Sequence, residues 1–450
     1  MRDEPRARND TDAVAKYLSA FESVGKGSWQ DAPAWLADLR QNAIRAFAES
    51  GFPGRKDEEW RHTNLTPLLQ APFVPLVNGV TDAVAESQIE ALAIPELRKN
   101  RLVFVNGSYR PALSSIAGQG DGITVGGLAS VAADGQPLLE QHLARLADPG
   151  ANPLAALNTA FAQDGTFVHI AEGASLEEPI YLLYLTSTLE DGGATHPRNL
   201  VVLSPHARVS VLEHYVSACA AAHFTNGVTE LVVADGASLE HVRVQDECLL
   251  AFHVSATHGS LGRTANLVSY NLSFGARFAR NDVSVALTGE NALCTLNGVY
   301  LGTGERRIDN HTSIDHVEPA CESHELYRGI LGGKSRGVFR GRILVRPNAQ
   351  KTDAKQTNNC LILSDEAVID TMPQLEIFAN DVKCTHGATV GELDEEAVFY
   401  LQARGIARPD ARGMLTHAFA SEVLSRLSNE AARSFLETRL KTILPQKTGV

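Results

Sequence analysis

Apolar residues recur at helical spacing through the first fifty positions. Val14, Leu18 and Phe21 form one stripe, and Leu36, Leu39, Ala43 and Phe47 form another. The pattern predicts two helices between Asp12 and about Ser50, broken at Gly25–Ser28 and stopped by the turn residues Gly51–Gly54. The polar run Lys56–Leu65, KDEEWRHTNL, reads as a surface loop anchored by Trp60. Leu102–Val105 reads as a short strand, Asn106-Gly107 as a hairpin turn, and the glycine-rich Gly118–Gly127 as a loop.

From about Phe161 the texture changes. Short β-branched and leucine runs alternate with turns, with no long helical period before about Leu393. The turns resemble one another: GASLEEP from Gly173, HARVSVLE from His206 and GASLEHVR from Gly236. Weaker echoes are GARFARND from Gly275, NALCTLNG from Asn291, NAQKTDAK from Asn348 and EAVIDTMP from Glu366. Degenerate self-similarity with short strands marks a repeat architecture, because a single coil cannot bury its own apolar face and stacked coils can. A parallel β-helix fits best; a β-sandwich is the alternative.

Beyond this region the helical period returns. Asp394–Arg404 reads as a helix ending at Gly405, a second begins after Pro409, and a third runs from about Asn429 to Leu444 before Pro445. Leu415, Phe419, Val423 and Leu427 form an i+4 ladder on the second. Such a stripe either packs against the β region or docks a partner. The expected organisation is mainly β: an N-terminal helical part with a small β unit (1–160), a β-helix core (161–392) and a C-terminal helical part (393–450).

Composition narrows the function classes. The 450 residues are 44% hydrophobic and 21% charged, which suits a globular protein. A formal charge of −13 argues against non-specific nucleic-acid binding and against docking on an anionic membrane. The six cysteines form no CxxC pair, which favours reduced thiols and a cytoplasmic setting. The opening MRDEPRARNDTDAV has no apolar core, so no secretory signal is read there, and no run is long enough to span a bilayer.

Candidate chemistry centres on DVKCTHGATVG, Asp381–Gly391. On a strand, residues i and i+2 share a face, so Cys384 and His386 would stand side by side as two potential metal ligands. A closed tetrahedral site needs four, so the rest would have to come from elsewhere in the chain or from another chain. His311, His316, Cys321 and His324 look like a second cluster. Their spacing fits no zinc-finger pattern, and the odd separation of His311 and His316 would send them to opposite faces. RGILGGKSRG, Arg328–Gly337, nearly spells a phosphate loop, but Arg328 stands where a glycine belongs and a strand follows. No nucleotide hydrolysis is expected. Carboxylates such as Asp365 and Asp370 leave open a stand-alone β-helix enzyme acting on carbohydrate, although none group locally.

Asp381–Ile406 also resembles the C-terminal signature of the SufB/SufD family, the scaffold subunits of the SUF iron–sulfur cluster assembly machinery. EEWRHTNL at Glu58–Leu65, RLVFVNG at Arg101–Gly107 and ELYRGIL at Glu325–Leu331 agree with it. So do the run Gly341–Asp365 and the helix Ala411–Leu424. GATVG after His386, and the lack of N-terminal cysteine motifs, make the chain similar to the SufD branch rather than the SufB branch. The resemblance implies a right-handed parallel β-helix flanked by helical domains. It implies pairing with SufB through the β-helices, with a homodimer possible when alone, and a SufC ATPase carried on the C-terminal helices around Leu415, Phe419, Val423 and Leu427. It implies that His386 faces a SufB cysteine where iron or a nascent cluster forms, with Cys384 beside it. Reduced flavin is associated with the assembled complex, and no ATP is expected on this chain.

Overall fold

The computed structural model describes residues 8–24, 32–76, 84–117, 120, 122–187 and 192–444. The expected breaks at Gly25–Ser28 and Pro445 lie outside these residues.

Two sheets face each other, and successive strands of the chain alternate between them. The first sheet runs from Ile123–Gly127 through Thr166–Ile170 and Arg198–Leu203 to Arg336–Val345 and Val368–Ile377. The second runs from the hairpin Asn100–Val105/Ser108–Tyr109 through Ile180–Thr186 and Arg208–Ser217 to Asp353–Ile362 and Lys383–Gly391. Beyond the first few strands every pairing is parallel. The chain is therefore a parallel β-solenoid, not a sandwich. In the second sheet Ser238, Asn266, Leu293, Glu322, Asp353 and Lys383 stack in register. One coil thus takes from 27 residues (Asn266 to Leu293) to 31 (Glu322 to Asp353).

One turn is repeated at the corner that enters the second sheet. A residue with left-handed backbone precedes a small buried residue: His206 (φ 63°) before Ala207, Gly236 (67°) before Ala237, Thr264 (55°) before Ala265. Asn291 (59°) before Ala292, Ala320 (57°) before Cys321 and Lys351 (65°) before Thr352 continue it. Each left-handed residue donates its N–H to a carbonyl of the next coil, as His206 does to Asp235 and Lys351 to Asp381. The small residue fills the corner, where a larger side chain would have no room. GASLEHVR and NALCTLNG belong to this turn. NAQKTDAK matches it three residues late, at Lys351-Thr352. GARFARND and EAVIDTMP instead enter Phe278–Leu287 and Val368–Ile377 of the first sheet, at the opposite corner.

Inside the solenoid Val209, Leu239, Leu267, Cys294 and Phe339 belong to one apolar core. Helices cover the outer faces. Tyr17, Phe47 and Phe161 pack on Phe224, Phe252 and Phe278 of the first sheet. The C-terminal helices Arg408–Leu424 and Glu430–Ile443 fold back over Val242, Tyr270, Leu301 and Ile330 of the second. Arg439 clamps Asp246 there with two hydrogen bonds, and the Tyr270 hydroxyl donates to the Arg426 carbonyl at 2.6 Å.

One expectation is corrected and two are met. Asn106 (φ 50°) and Gly107 (φ 81°) make the expected tight turn, but Gly118–Gly127 is not all loop: Ile123–Gly127 is a strand antiparallel to Thr166–Ile170. Lys56–Leu65 is the expected surface segment anchored by Trp60. Trp60 is buried beneath the Arg280 guanidinium, 3.5 Å from the ring centre, and the Thr63 hydroxyl donates to Asp309 at 2.6 Å. Within Arg328–Gly337, Gly332–Ser335 is the expected turn between the strands Glu322–Leu331 and Arg336–Val345, so no helix N-terminus stands there to cradle a phosphate. No helix among the described residues is long and apolar enough to cross a membrane.

Candidate functional site

Lys383–Gly391 is the last strand of the second sheet. It pairs with Asp353–Ile362 on one side and with no strand on the other among the described residues. Val368–Ile377 ends the first sheet in the same way. The solenoid is thus open at this end, with two unpaired strand edges and exposed Val368, Ile377, Phe378 and Val390. Unpaired edges with exposed apolar side chains favour pairing with another chain.

Cys384 and His386 stand on that last strand, and register defines their side. Cys384 continues a column through Ala354, Ser323, Cys294 and Leu267, all fully buried. His386 continues another through Gln356, Glu325, Leu296, Ser269 and His241, all buried. Both columns face the interior, so the two side chains point the same way, as the period of two requires. His386 is nevertheless exposed and Cys384 half-buried, because no further coil lies on them. Burial raises the Cys384 thiol pKa, so a thiolate ligand there needs a metal or a cation brought by a neighbour.

Behind His386, one coil inward, the Gln356 amide donates to Glu325 at 2.7 Å. Burial pushes the Glu325 pKa up to about 7. Neither residue stood out in the sequence. The signal was present in the spacing, since Glu325, Gln356 and His386 are separated by 31 and 30 residues, one coil each.

The remaining candidates separate. His311 and His316 do point to opposite sides of their strand. The His316 Nε2 pairs with Ser323 Oγ at 2.9 Å inside the solenoid. His311 lies outside, covered by the Trp60 segment and 3.3 Å from Arg280 Nη1, and burial and that guanidinium hold its pKa well below the usual range. Cys321 is a corner residue and His324 lies 3.6 Å from Glu322. No group of three His, Cys, Asp or Glu side chains able to hold a metal occurs among the described residues. The helical ladder faces the solenoid: Val423 and Leu427 are buried in the core beneath it, with Leu415 and Phe419 packed on its margin. The reading of all four as a partner-docking face is therefore corrected, because this chain's own sheet occupies them. The large apolar side chains that these helices do expose are Phe399, Tyr400 and Met414.

The β-solenoid thus ends in an open coil that carries Cys384 and His386 side by side on its last strand. Residues 185–419 match the SUF system FeS cluster assembly, SufBD core domain, and residues 11–182 match the SufBD protein N-terminal region. The chain belongs to the SufBD family of SUF-system iron–sulfur cluster assembly proteins. It is 33% identical to the iron–sulfur cluster assembly protein SufD of Escherichia coli over 97% of this chain and 98% of that one. It is 32% identical to an iron–sulfur cluster assembly SufBD family protein of Synechocystis over 87% of each, and 24% identical to SufD of Bacillus subtilis over 95% of this chain and 98% of that one.

Proposed function

We propose that this chain is a non-hydrolytic subunit of a SUF assembly complex, pairing with a SufB scaffold through the open end of its solenoid. In this reading Cys384 and His386 supply part of the ligand set for iron or a nascent iron–sulfur cluster, and the partner supplies the rest. The observation that carries it is the inward-facing pair, His386 exposed and Cys384 half-buried, on a terminal strand with one free edge and no further coil over it. The SufC ATPase docks on the C-terminal helices, and the surface available for it is Phe399, Tyr400 and Met414.

The test uses the co-expressed complex, loaded anaerobically with iron and sulfide. His386→Ala leaves the partners associated and abolishes or severely weakens cluster formation. Full cluster formation in that variant overturns the site assignment. Phe399→Ala with Tyr400→Ala weakens ATPase retention by roughly thirtyfold, the effect of losing a binding hot spot worth about 2 kcal/mol. Unchanged retention moves the docking surface elsewhere.

A further inference from the structure

Of the two candidate ligands on the last strand, only one has a polar group behind it. Cys384 stacks on Ala354, whose methyl group offers no hydrogen bond. His386 stacks on Gln356, and Gln356 stacks on Glu325. Parallel neighbours of this kind stand about 4.8 Å apart, so side chains on one face meet directly. Gln356 is 1% exposed and Glu325 3%.

The Gln356 amide is held from two sides. Its Nε2 donates to Glu325 Oε2 at 2.7 Å, toward the preceding coil. Across the interior stands Gly341 of the first sheet, where an added Cβ would collide with the amide. The missing side chain at 341 is what gives the amide its room. The carbonyl Oε1 is the other end of the same planar group, and it is buried with no hydrogen-bond partner among the described residues. An unpaired buried oxygen is costly, and such groups nearly always have a donor in the working state of a protein. The next side chain in its column is the His386 ring, which is exposed and not bonded to it while the coil is uncovered.

A neutral imidazole that ligates a metal through one nitrogen carries its proton on the other, and that N–H needs an acceptor once water is excluded. We propose that Gln356 is a positioning residue for His386. When a partner covers the open coil, one ring N–H donates to Gln356 Oε1, which fixes a single tautomer and leaves the other nitrogen free for the metal. Glu325 acts one coil further back, taking the amide N–H so that the oxygen is left for the ring. The inference rests on the reading of His386 as a ligand and adds the two buried groups that orient it.

The test uses the co-expressed complex at pH 8, where the Glu325 carboxyl is largely ionised and accepts the amide N–H. Ferrous ion alone is titrated anaerobically by equilibrium dialysis. Gln356→Met keeps the length of the side chain and removes both amide groups. Gly341→Ala displaces the amide from the opposite sheet and leaves the last strand untouched. Each weakens ferrous-ion binding about tenfold, the lower end of what a metal site loses with such a support, and leaves the partners associated. His386→Ala costs more than either, because a ligand is lost. The tautomer is read with zinc ion as a diamagnetic stand-in and nitrogen-15 histidine in this chain, by magic-angle-spinning NMR of the sedimented complex. The His386 ring N–H, identified by its loss in His386→Ala, is protected from solvent exchange in wild type and exchanges freely in both variants. Unchanged ferrous affinity in both variants, or a wild-type N–H that exchanges as fast as theirs, overturns this inference while the His386→Ala loss still upholds the ligand. Undiminished binding in His386→Ala overturns the ligand assignment and this inference with it. If Gln356→Met does not assemble, Gly341→Ala decides the comparison.

Discussion

Glu325 offers a test of the solenoid interior that depends on pH. Its carboxyl is buried in the column that leads to His386 and accepts a 2.7 Å hydrogen bond from Gln356. Burial raises its pKa from 4.5 to about 7. A carboxyl with a raised native pKa is accommodated fully only while protonated. Its penalty is absent below the unfolded pKa and grows as pH rises toward the folded one. A shift of roughly 2.5 units corresponds to about 3 kcal/mol lost by pH 8 and less than about 1 kcal/mol at pH 5. Glu325→Gln keeps the shape and removes the charge, and an amide can turn to satisfy Gln356. The variant should therefore exceed wild type in stability by about 3 kcal/mol at pH 8 and nearly match it at pH 5. Urea unfolding followed by circular dichroism at both pH values measures this. The same difference at both pH values, or a variant less stable than wild type at pH 8, would refute the placement of Glu325 in a dry interior.

Two further changes probe the coil geometry. Gly236 has a left-handed backbone, and an added Cβ would collide with the His206 imidazole of the preceding coil. The exposed His206 ring can swing aside, so Gly236→Ala should cost about 1–2 kcal/mol in the same assay, the left-handed strain alone; a stabilising result would contradict the left-handed corner. The buried Arg198 guanidinium bonds Glu230 at 2.6 Å, and that carboxylate also accepts the N–H groups of Ala144, Leu146 and Ala147. Arg198→Met strands the carboxylate and should cost about 3–5 kcal/mol, whereas Arg198→Met combined with Glu230→Gln should recover part of that loss.

Much of the core was legible because its turn obeys one steric rule. A left-handed residue followed by a small one recurs once per coil, so GASLEHVR and NALCTLNG stand out as related text. The same rule misleads at the opposite corner. Ala276 is also left-handed (φ 64°), so GARFARND looks like its counterparts although it enters the other sheet. Cys384 and His386 were legible because strand alternation is strict. Their exposure was not, since it depends on the solenoid ending there. The ladder at Leu415–Leu427 shows why an amphipathic stripe is incomplete information: it records that something covers the face, not what. Thr63 and Asp309 meet across 246 positions of chain, and no local pattern announces that contact.

The central claim is that the ligand pair at the last coil is completed by a sister subunit. A structure of the assembled complex with its scaffold partner measures this directly, through the residues within coordination reach of the His386 imidazole. The account predicts side chains of the partner subunit there, at least one of them a cysteine or another metal-binding group. An imidazole open to solvent, with the partner seated on a different face of the solenoid, would contradict it.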